Sequence, residues 1–412
     1  MSAAPLRILV GGLTFPWPAV TGGRMRVANV IAALSQLGEI DLFTFVDPTR
    51  TDLADPPAGT RLRRIGTVPQ RSFAFSPLKR AGWILSGRVP RALAVLDVRD
   101  ARRRFATWGE RYDLSWFHGV ASHVALGSLV AAPAIVDLDD LEDEIVRARL
   151  GLRTSAGPPL NEARWRQMAA RLQDRRDQRL WHDLQRAVAA RVNSVVLCSD
   201  EDRRRFGAPN CAVIPNGYDA PAQPLGRAEV GPAPVILFAG LLTYPANREA
   251  AVVLAQQIAP LLRDRVPAVQ IRLVGSAPEA IRRLADPPRV VVTGFVPDIT
   301  AELRRADLVA VPLRFGGGTR IKILEAFAHR IPVVSTTPGA AGLDVVPGRE
   351  LLIADVPEEF ARACVTLLVD RAQRVRLAEA AQQLFLRRYR WEVIHGAITA
   401  LAVQVAQRTL AG

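Results

Sequence analysis

The sequence predicts an α/β protein made of two doubly wound parallel-sheet domains facing across a cleft. Three observations carry this reading. Short apolar, β-rich runs alternate with helical stretches along the whole chain, the runs fall into two sets, and a Pro- and Gly-rich segment separates the sets. Strands covered on both faces read as near-continuous apolar runs rather than as alternating ones, which is the pattern here. The first set comprises 7–12, 41–46, 61–68, 114–118, 134–138, 194–199 and 211–215. The second comprises 235–240, 270–275, 290–295, 308–313, 332–336 and 351–354. Each set suffices for one open sheet.

Between the sets, residues 216–234 hold Pro221, Pro224, Pro232 and Pro234 together with Gly217, Gly226 and Gly231, a composition unsuited to helix or strand. The domains are therefore expected at 1–218 and 235–391, joined by a linker over 219–234. A closing helix over 392–412, with Ile394, Ile398, Leu401 and Val405 at helical spacing, is free to pack back on the first domain. Ligands of open sheets bind outside the carboxyl ends of the strands, so the cleft is the expected site. A long helix is expected over 161–192, where Trp165, Met168, Leu172, Leu184 and Val188 recur every three or four residues. Its other faces carry Arg166, Arg171, Arg175, Arg176, Arg179 and Arg186. That face suits either solvent or an anionic lipid surface.

With 412 residues, 49% hydrophobic and 23% charged, the chain has the composition of a soluble globular protein of two or three domains. No window approaches 18 uninterrupted apolar residues, and the opening MSAAPLRILVGGLTF lacks a basic region followed by a long apolar run, so neither a membrane span nor secretion is expected. Cys198, Cys211 and Cys364 are far apart and lack metal-ligand spacing, which suits a reducing, cytoplasmic compartment. The net charge of +14 comes almost wholly from arginine, Lys79 and Lys322 being the two lysines. It attracts anions, whether nucleotide diphosphates, a peripheral contact with an anionic membrane, or nucleic acid, and does not choose among them. No zinc pattern or recognition-helix motif supports specific nucleic-acid binding.

The most informative segment is 306–325, ADLVAVPLRFGGGTRIKILE: an apolar strand running into Gly316, Gly317, Gly318 and Thr319, then a helix opening with Arg320, Lys322 and Glu325. Glycines allow positive φ and close backbone approach, and a helix start offers unpaired N–H groups and a partial positive charge. With two cations alongside, this is a cradle for a phosphate, and a carboxylate one turn deeper can take a sugar hydroxyl. A plain strand-to-helix turn with solvated cations would have the same local sequence.

Ordered pieces across the second half narrow the choice: FAGLLTYPANREA, LVGSAP, VVVTGFVPD, the segment just described, IPVVSTTPGAAGL and RYRWEVI. In order and spacing they resemble the donor-binding domain of the family 4, or group 1, glycosyltransferases, retaining enzymes of the two-Rossmann GT-B fold. The likeness is good over 234–391 and weaker before it. It implies transfer of a sugar from a nucleoside-diphosphate donor to an acceptor hydroxyl of a glycan, a lipid-linked sugar or a small aglycone, with no cofactor or metal required. Glu325 would correspond to the second of two family glutamates, the one that holds the nucleotide ribose. The first stands at Gly317 here, so the donor sugar would have to be met by backbone amides of Gly317, Gly318 and Thr319.

A second departure follows Gly240, where an arginine and a lysine common in the family give way to Leu241 and Leu242, with Asn247 and Arg248 later in the loop. Compensation of the leaving diphosphate then falls to Arg320 and Lys322, with Arg248 in support. Gly294, Phe295 and Val296 match the loop that lies against the base. Gly22 and Gly23 match the glycine loop of the first domain. His118, at the end of the strand LSWFH, matches a histidine that lines the site, with His123 as the alternative. The acidic run Asp137, Asp139, Asp140, Glu142, Asp143 and Glu144 invites either a metal or helix capping, and Asp139 is the candidate for orienting the acceptor. Rival readings are an epimerase or phosphorylase of the same fold, separable by product, and a catalytically silent nucleotide-sugar sensor or scaffold, separable by binding without turnover.

Overall fold

Each of the thirteen apolar runs named above falls on a strand in the computed structural model. The structure describes all residues except 1–4, 48, 51, 74–75, 156–162, 228, 317–319 and 411–412, with backbone alone for 77, 152–155, 163–167 and 409–410. The chain divides into two units, Met1–Asn216 with Ile394–Gly412, and Gly217–Val393.

In the first unit the strands are β1 (Leu6–Gly12), β2 (Gly38–Thr44), β3 (Leu62–Thr67), β4 (Arg71–Ser72), β5 (Leu96–Asp97), β6 (Leu114–His118), β7 (Ala134–Leu138), β8 (Ser194–Leu197) and β9 (Cys211–Val213). Among the described residues, seven form one sheet in the order β3-β2-β1-β6-β7-β8-β9, parallel throughout. The two-residue strands β4 and β5 pair antiparallel outside it and were too short to leave a periodic signal. The second unit holds β10 (Val235–Ala239), β11 (Gln270–Val274), β12 (Val290–Gly294), β13 (Leu308–Val311), β14 (Val333–Ser335) and β15 (Leu352–Ile353), ordered β12-β11-β10-β13-β14-β15 and again parallel. In both sheets the strand order reverses beside the first strand, between β1 and β6 and between β10 and β13, and such switch points open a crevice at the carboxyl edge.

Burial explains the apolar runs. Ile8, Leu9 and Val10 of β1 and Ile236 and Phe238 of β10 are wholly excluded from solvent because helices cover both faces of each sheet. Each such side chain contributes roughly 1.5–3 kcal/mol, against about 1 kcal/mol net for a ladder hydrogen bond, so layer packing rather than strand pairing dominates the fold energy.

The long helix spans Ala163–Ala189, and its expected start at 161 lies outside the described residues. Of the expected stripe, Val188 is buried and Leu184 packs on the core, the side chain of Trp165 lies outside the described residues, and the rest departs. Met168 and Leu172 are exposed, whereas Gln173, Asp174, Asp177 and Gln185 are buried. The inner face mixes Trp181 and Val188, which join the core, with polar residues that bond its neighbours: Gln185 Oε1 accepts from the Glu142 N–H at 2.9 Å, and Asp177 Oδ1 accepts from the Arg91 N–H at 2.7 Å. The closing helix, Trp391–Leu410, buries Ile394, Ile398 and Val405, and His395 Nε2 lies 2.9 Å from Asn29 Oδ1 of the first unit. The segment expected as a linker is tied to the second unit, where Gly226 N–H donates to the His329 carbonyl at 2.7 Å and Arg227 pairs with Asp307 at 2.8 Å. No described helix is long and apolar enough to cross a membrane.

Candidate active site

The second unit gathers its candidates at the β10/β13 switch point. Directly after β10, Gly240 takes φ 152°, and a Cβ there would stand 3.1 Å from Asn247 Nδ2 and 3.5 Å from Lys322 Cε. Asn247, in the first turn of the helix Pro245–Val253, is buried, and its Nδ2 donates to the Leu241 carbonyl at 3.0 Å. That fixes its Oδ1 to accept from Lys322 Nζ at 3.1 Å, while the ammonium lies 5.5 Å from the centre of the Phe238 ring. After β13, Gly316 has φ 126° and Arg320 directly precedes the helix Ile321–Ala328. Arg320 is 7% exposed and donates Nη2 to the carbonyls of Gly316 at 2.7 Å and Pro338 at 3.0 Å. One turn on, Glu325 accepts from the Tyr218 hydroxyl at 2.7 Å.

The electrostatics follow from this packing. Burial, with Arg320 beside it, lowers the Lys322 ammonium to about 8, and Glu325 offsets part of the shift. Burial raises the Glu325 carboxyl against the opposing pull of the Tyr218 hydrogen bond and of Lys322. Burial and the Glu325 charge push the Tyr218 phenol far up, so it remains a donor at any ordinary pH. Two cations thus stand together in a poorly solvated place. Such a place stabilises an arriving anion more than solvent does.

Other candidates fare differently. Gly317, Gly318 and Thr319 lie outside the described residues. Arg248 is exposed, because its neighbours Asn247 and Ala250 take the inner face of their helix. Gly294 ends β12, Phe295 beyond it is 67% exposed rather than a core residue, and Val296 packs partly on the apolar core. An exposed ring at a sheet's carboxyl edge is free to stack on a flat ligand. Tyr218 was missed from sequence, since it falls in a Pro- and Gly-rich stretch and meets Glu325 only through the fold.

In the first unit the candidates gather at the β1/β6 switch point. Gly12, His118 and Asp137 are register partners across β1, β6 and β7. Gly22 and Gly23 open the helix Gly22–Leu34, and a Cβ on Gly23 would lie 3.9 Å from His118 Nε2, so the imidazole faces the helix start. His118 Nδ1 stands 3.9 Å from Asp137 Oδ2, beyond hydrogen-bond reach. His123 instead turns inward, its ring edge-on to Phe117 at 5.2 Å, and burial lowers its pKa.

Arg26 is the second residue that sequence reading missed. It is 1% exposed and meets Asp137 through Nε at 2.8 Å and Nη2 at 2.7 Å, Asn216 Oδ1 through Nη1 at 3.0 Å, and the Ile214 carbonyl through Nη2 at 3.1 Å. Burial opposes both charges of this pair, yet Arg26 holds Asp137 at about 2. Asp139 Oδ1 accepts from Asn216 Nδ2 at 2.5 Å and from the Cys198 thiol at 3.3 Å. The rest of the acidic run disperses: Asp143 meets His182 and Gln185, Glu144 meets Arg147 and Arg205, and no group of three potential ligands converges on a metal position among the described residues.

Residues 233–370 match the family model described as "Glycosyl transferases group 1", which bears out the resemblance read from the second half. No curated protein matches the chain in sequence. Solved structures of similar fold include a sucrose-phosphate synthase from Thermosynechococcus elongatus, 17% identical with a TM-score of 0.67 over 97% of this chain and 98% of that one. Another is HepE of Anabaena in complex with UDP-glucose, 19% identical with a TM-score of 0.61 over 97% and 100%. A third is a glycosyltransferase from Rickettsia africae, 11% identical with a TM-score of 0.64 over 98% and 99%. The two parallel-sheet domains are those of the GT-B fold.

Proposed function

We propose, from the match of residues 233–370 to the group 1 glycosyltransferases, that this protein transfers a sugar from a nucleoside diphosphate to an acceptor hydroxyl with retention of anomeric configuration. The observation that carries the reading is the pair of buried Arg320 and partly buried Lys322 behind Gly240 and Gly316 at the β10/β13 switch point. The diphosphate sits against these two cations, and the backbone amides of residues 316–319 are assigned to it as further donors. Glu325, steadied by Tyr218 on one oxygen, takes a ribose hydroxyl with the other, and the exposed Phe295 stacks on the base beside Gly294 and Val296. HepE binds UDP-glucose, which makes a uridine nucleotide the first donor to try.

In the reaction the bond from the sugar's anomeric carbon to the diphosphate oxygen breaks, and a bond from the same carbon to the acceptor oxygen forms on the same face. The acceptor proton passes to the departing phosphate oxygen. Charge grows on that oxygen as the bond lengthens, and Arg320 and Lys322, already fixed and desolvated, stabilise it with little reorganisation. Asn247 positions Lys322 for this. Arg248, exposed at the rim, adds long-range attraction for the anion. On the first unit, Gly22, Gly23 and His118 receive the acceptor, His118 holding a hydroxyl. Asp139, engaged on one oxygen by Asn216 and Cys198, orients the acceptor with the other. A cytoplasmic location fits the three free thiols.

A thermal-shift panel of nucleoside diphosphates and their sugars tests the reading, because a ligand that binds the native state alone raises the melting temperature with its affinity. One nucleotide family should stabilise the protein, and its sugar should appear on an acceptor, or on water, with the donor's anomeric configuration. A panel in which no nucleoside diphosphate shifts the melting temperature would overturn it.

A further inference from the structure

The helix Pro77–Ser86 of the first unit is well anchored and yet shows an apolar face to solvent. Its anchor is Trp83, buried, with Nε1 donating to the Val89 carbonyl at 2.9 Å. The end of the helix is held from the Ala163–Ala189 helix, where Arg176 Nη2 donates to the Gly87 carbonyl at 2.7 Å and Asp177 Oδ1 accepts from the Arg91 N–H at 2.7 Å. On the outer side Leu78 is 86% exposed and Leu85 81%, seven residues apart and therefore on one face, with exposed Ala81 and Gly82 between them. Exposed Val89 beyond the helix, and exposed Met168 and Leu172 on the supporting helix, add apolar surface. Leucines so exposed on an ordered helix are costly in water, and contiguous ones mark a surface that meets something.

The charges around this face choose the partner. From 76 to 96 the sequence carries Lys79, Arg80, Arg88 and Arg91 and no Asp or Glu, although the chain as a whole has 40 acidic residues. Lys79, Arg80 and Arg88 are exposed, and so is Arg175 on the supporting helix, three residues after Leu172. A short helix with leucines on one side, exposed cations on its other faces and just beyond its end, and no acidic residue is complementary to an anionic bilayer surface. There the leucines enter the headgroup boundary and the cations meet phosphates.

We propose that the Pro77–Ser86 helix, with Leu78 and Leu85 as its inserted residues and Lys79, Arg80 and Arg88 as its electrostatic contacts, is a docking site for an anionic lipid membrane. The site does not depend on the transfer reaction, so its failure and the failure of the proposed function are separable.

Co-sedimentation of the purified full-length protein with vesicles tests it directly. Vesicles of phosphatidylcholine with one third phosphatidylglycerol should carry the protein down at low salt, and pure phosphatidylcholine vesicles should carry it at least ten-fold less. Raising the salt should release much of the bound protein. The double variant Leu78→Ser, Leu85→Ser and the double variant Lys79→Glu, Arg80→Glu should each bind at least five-fold more weakly with unchanged melting temperatures, since none of these side chains is buried. Failure of the wild type to sediment with anionic vesicles overturns the proposal, as does equal binding by both variants. If the leucine variant instead abolishes concentration-dependent self-association in light scattering while vesicle binding persists, the face joins copies of this chain and the lipid assignment is wrong.

Discussion

Arg26 in the first unit and Arg320 in the second are both nearly excluded from solvent, at 1% and 7% exposure, but their surroundings differ in kind. Arg26 is matched to the Asp137 carboxylate and its other N–H groups reach Asn216 and a carbonyl, so its charge is consumed by the fold. Arg320 donates to the carbonyls of Gly316 and Pro338, and its neighbour Lys322 donates to the amide oxygen of Asn247, so these contacts orient the cations through neutral oxygens. The nearest carboxylate in the sequence, Glu325, is engaged by Tyr218. A cation matched to a buried carboxylate serves the fold, whereas the role proposed for Arg320 and Lys322 is to meet an anionic ligand.

Substitutions should separate the two sites. The largest effect is expected at the second: Lys322→Ala or Arg320→Ala should lower turnover by about 10²–10³-fold, as removal of a preorganised charge-stabilising donor does, with the fold intact by circular dichroism. Normal turnover in both variants would make this pair as structural as Arg26. Next is Arg26→Ala, which leaves Asp137 buried and unpaired and should cost about 3–5 kcal/mol of stability in denaturant unfolding. Adding Asp137→Leu to Arg26→Met should recover most of that loss, because neither charge then remains.

A third effect concerns pH. Lys322 is cationic below its pKa of about 8 and neutral above it. Diphosphate affinity should therefore fall as pH rises through that range, and Lys322→Arg should flatten the profile because arginine stays charged. A flat wild-type profile between pH 7 and 9 would remove Lys322 from the binding step. The smallest effect is Tyr218→Phe. Losing one hydrogen bond of about 1 kcal/mol should weaken donor binding roughly five-fold and leave kcat near normal. Equal losses in kcat and affinity would instead give Tyr218 a part in the chemical step.

The contrast between the two arginines also shows which features were legible in the sequence. The thirteen sheet strands were legible because strands buried on both faces must be apolar along their length, and 306–325 because a glycine run between an apolar strand and a cationic helix start carries its chemistry locally. Arg26 was overlooked although a signal existed: it shares the inner face of its helix with Val30 and Ala33, at four- and seven-residue spacing, where a cation is out of place without a buried partner. Tyr218 left no signal, since its partner stands 107 residues away. Periodicity served only the last turns of the Ala163–Ala189 helix: Leu184 and Val188 face the core, whereas Gln185 and Asp177 turn inward to bond neighbouring backbone and Met168 and Leu172 lie outside.

The central claim is that Arg320 and Lys322 together grip a diphosphate. Isothermal titration of wild type and of the Arg320→Ala, Lys322→Ala double variant with a nucleoside diphosphate measures it most directly. Saturable binding to the wild type is expected, with a loss of at least 100-fold in the double variant at an unchanged melting temperature. Equal affinity in the two proteins, or no binding to the wild type by any nucleoside diphosphate, would contradict it.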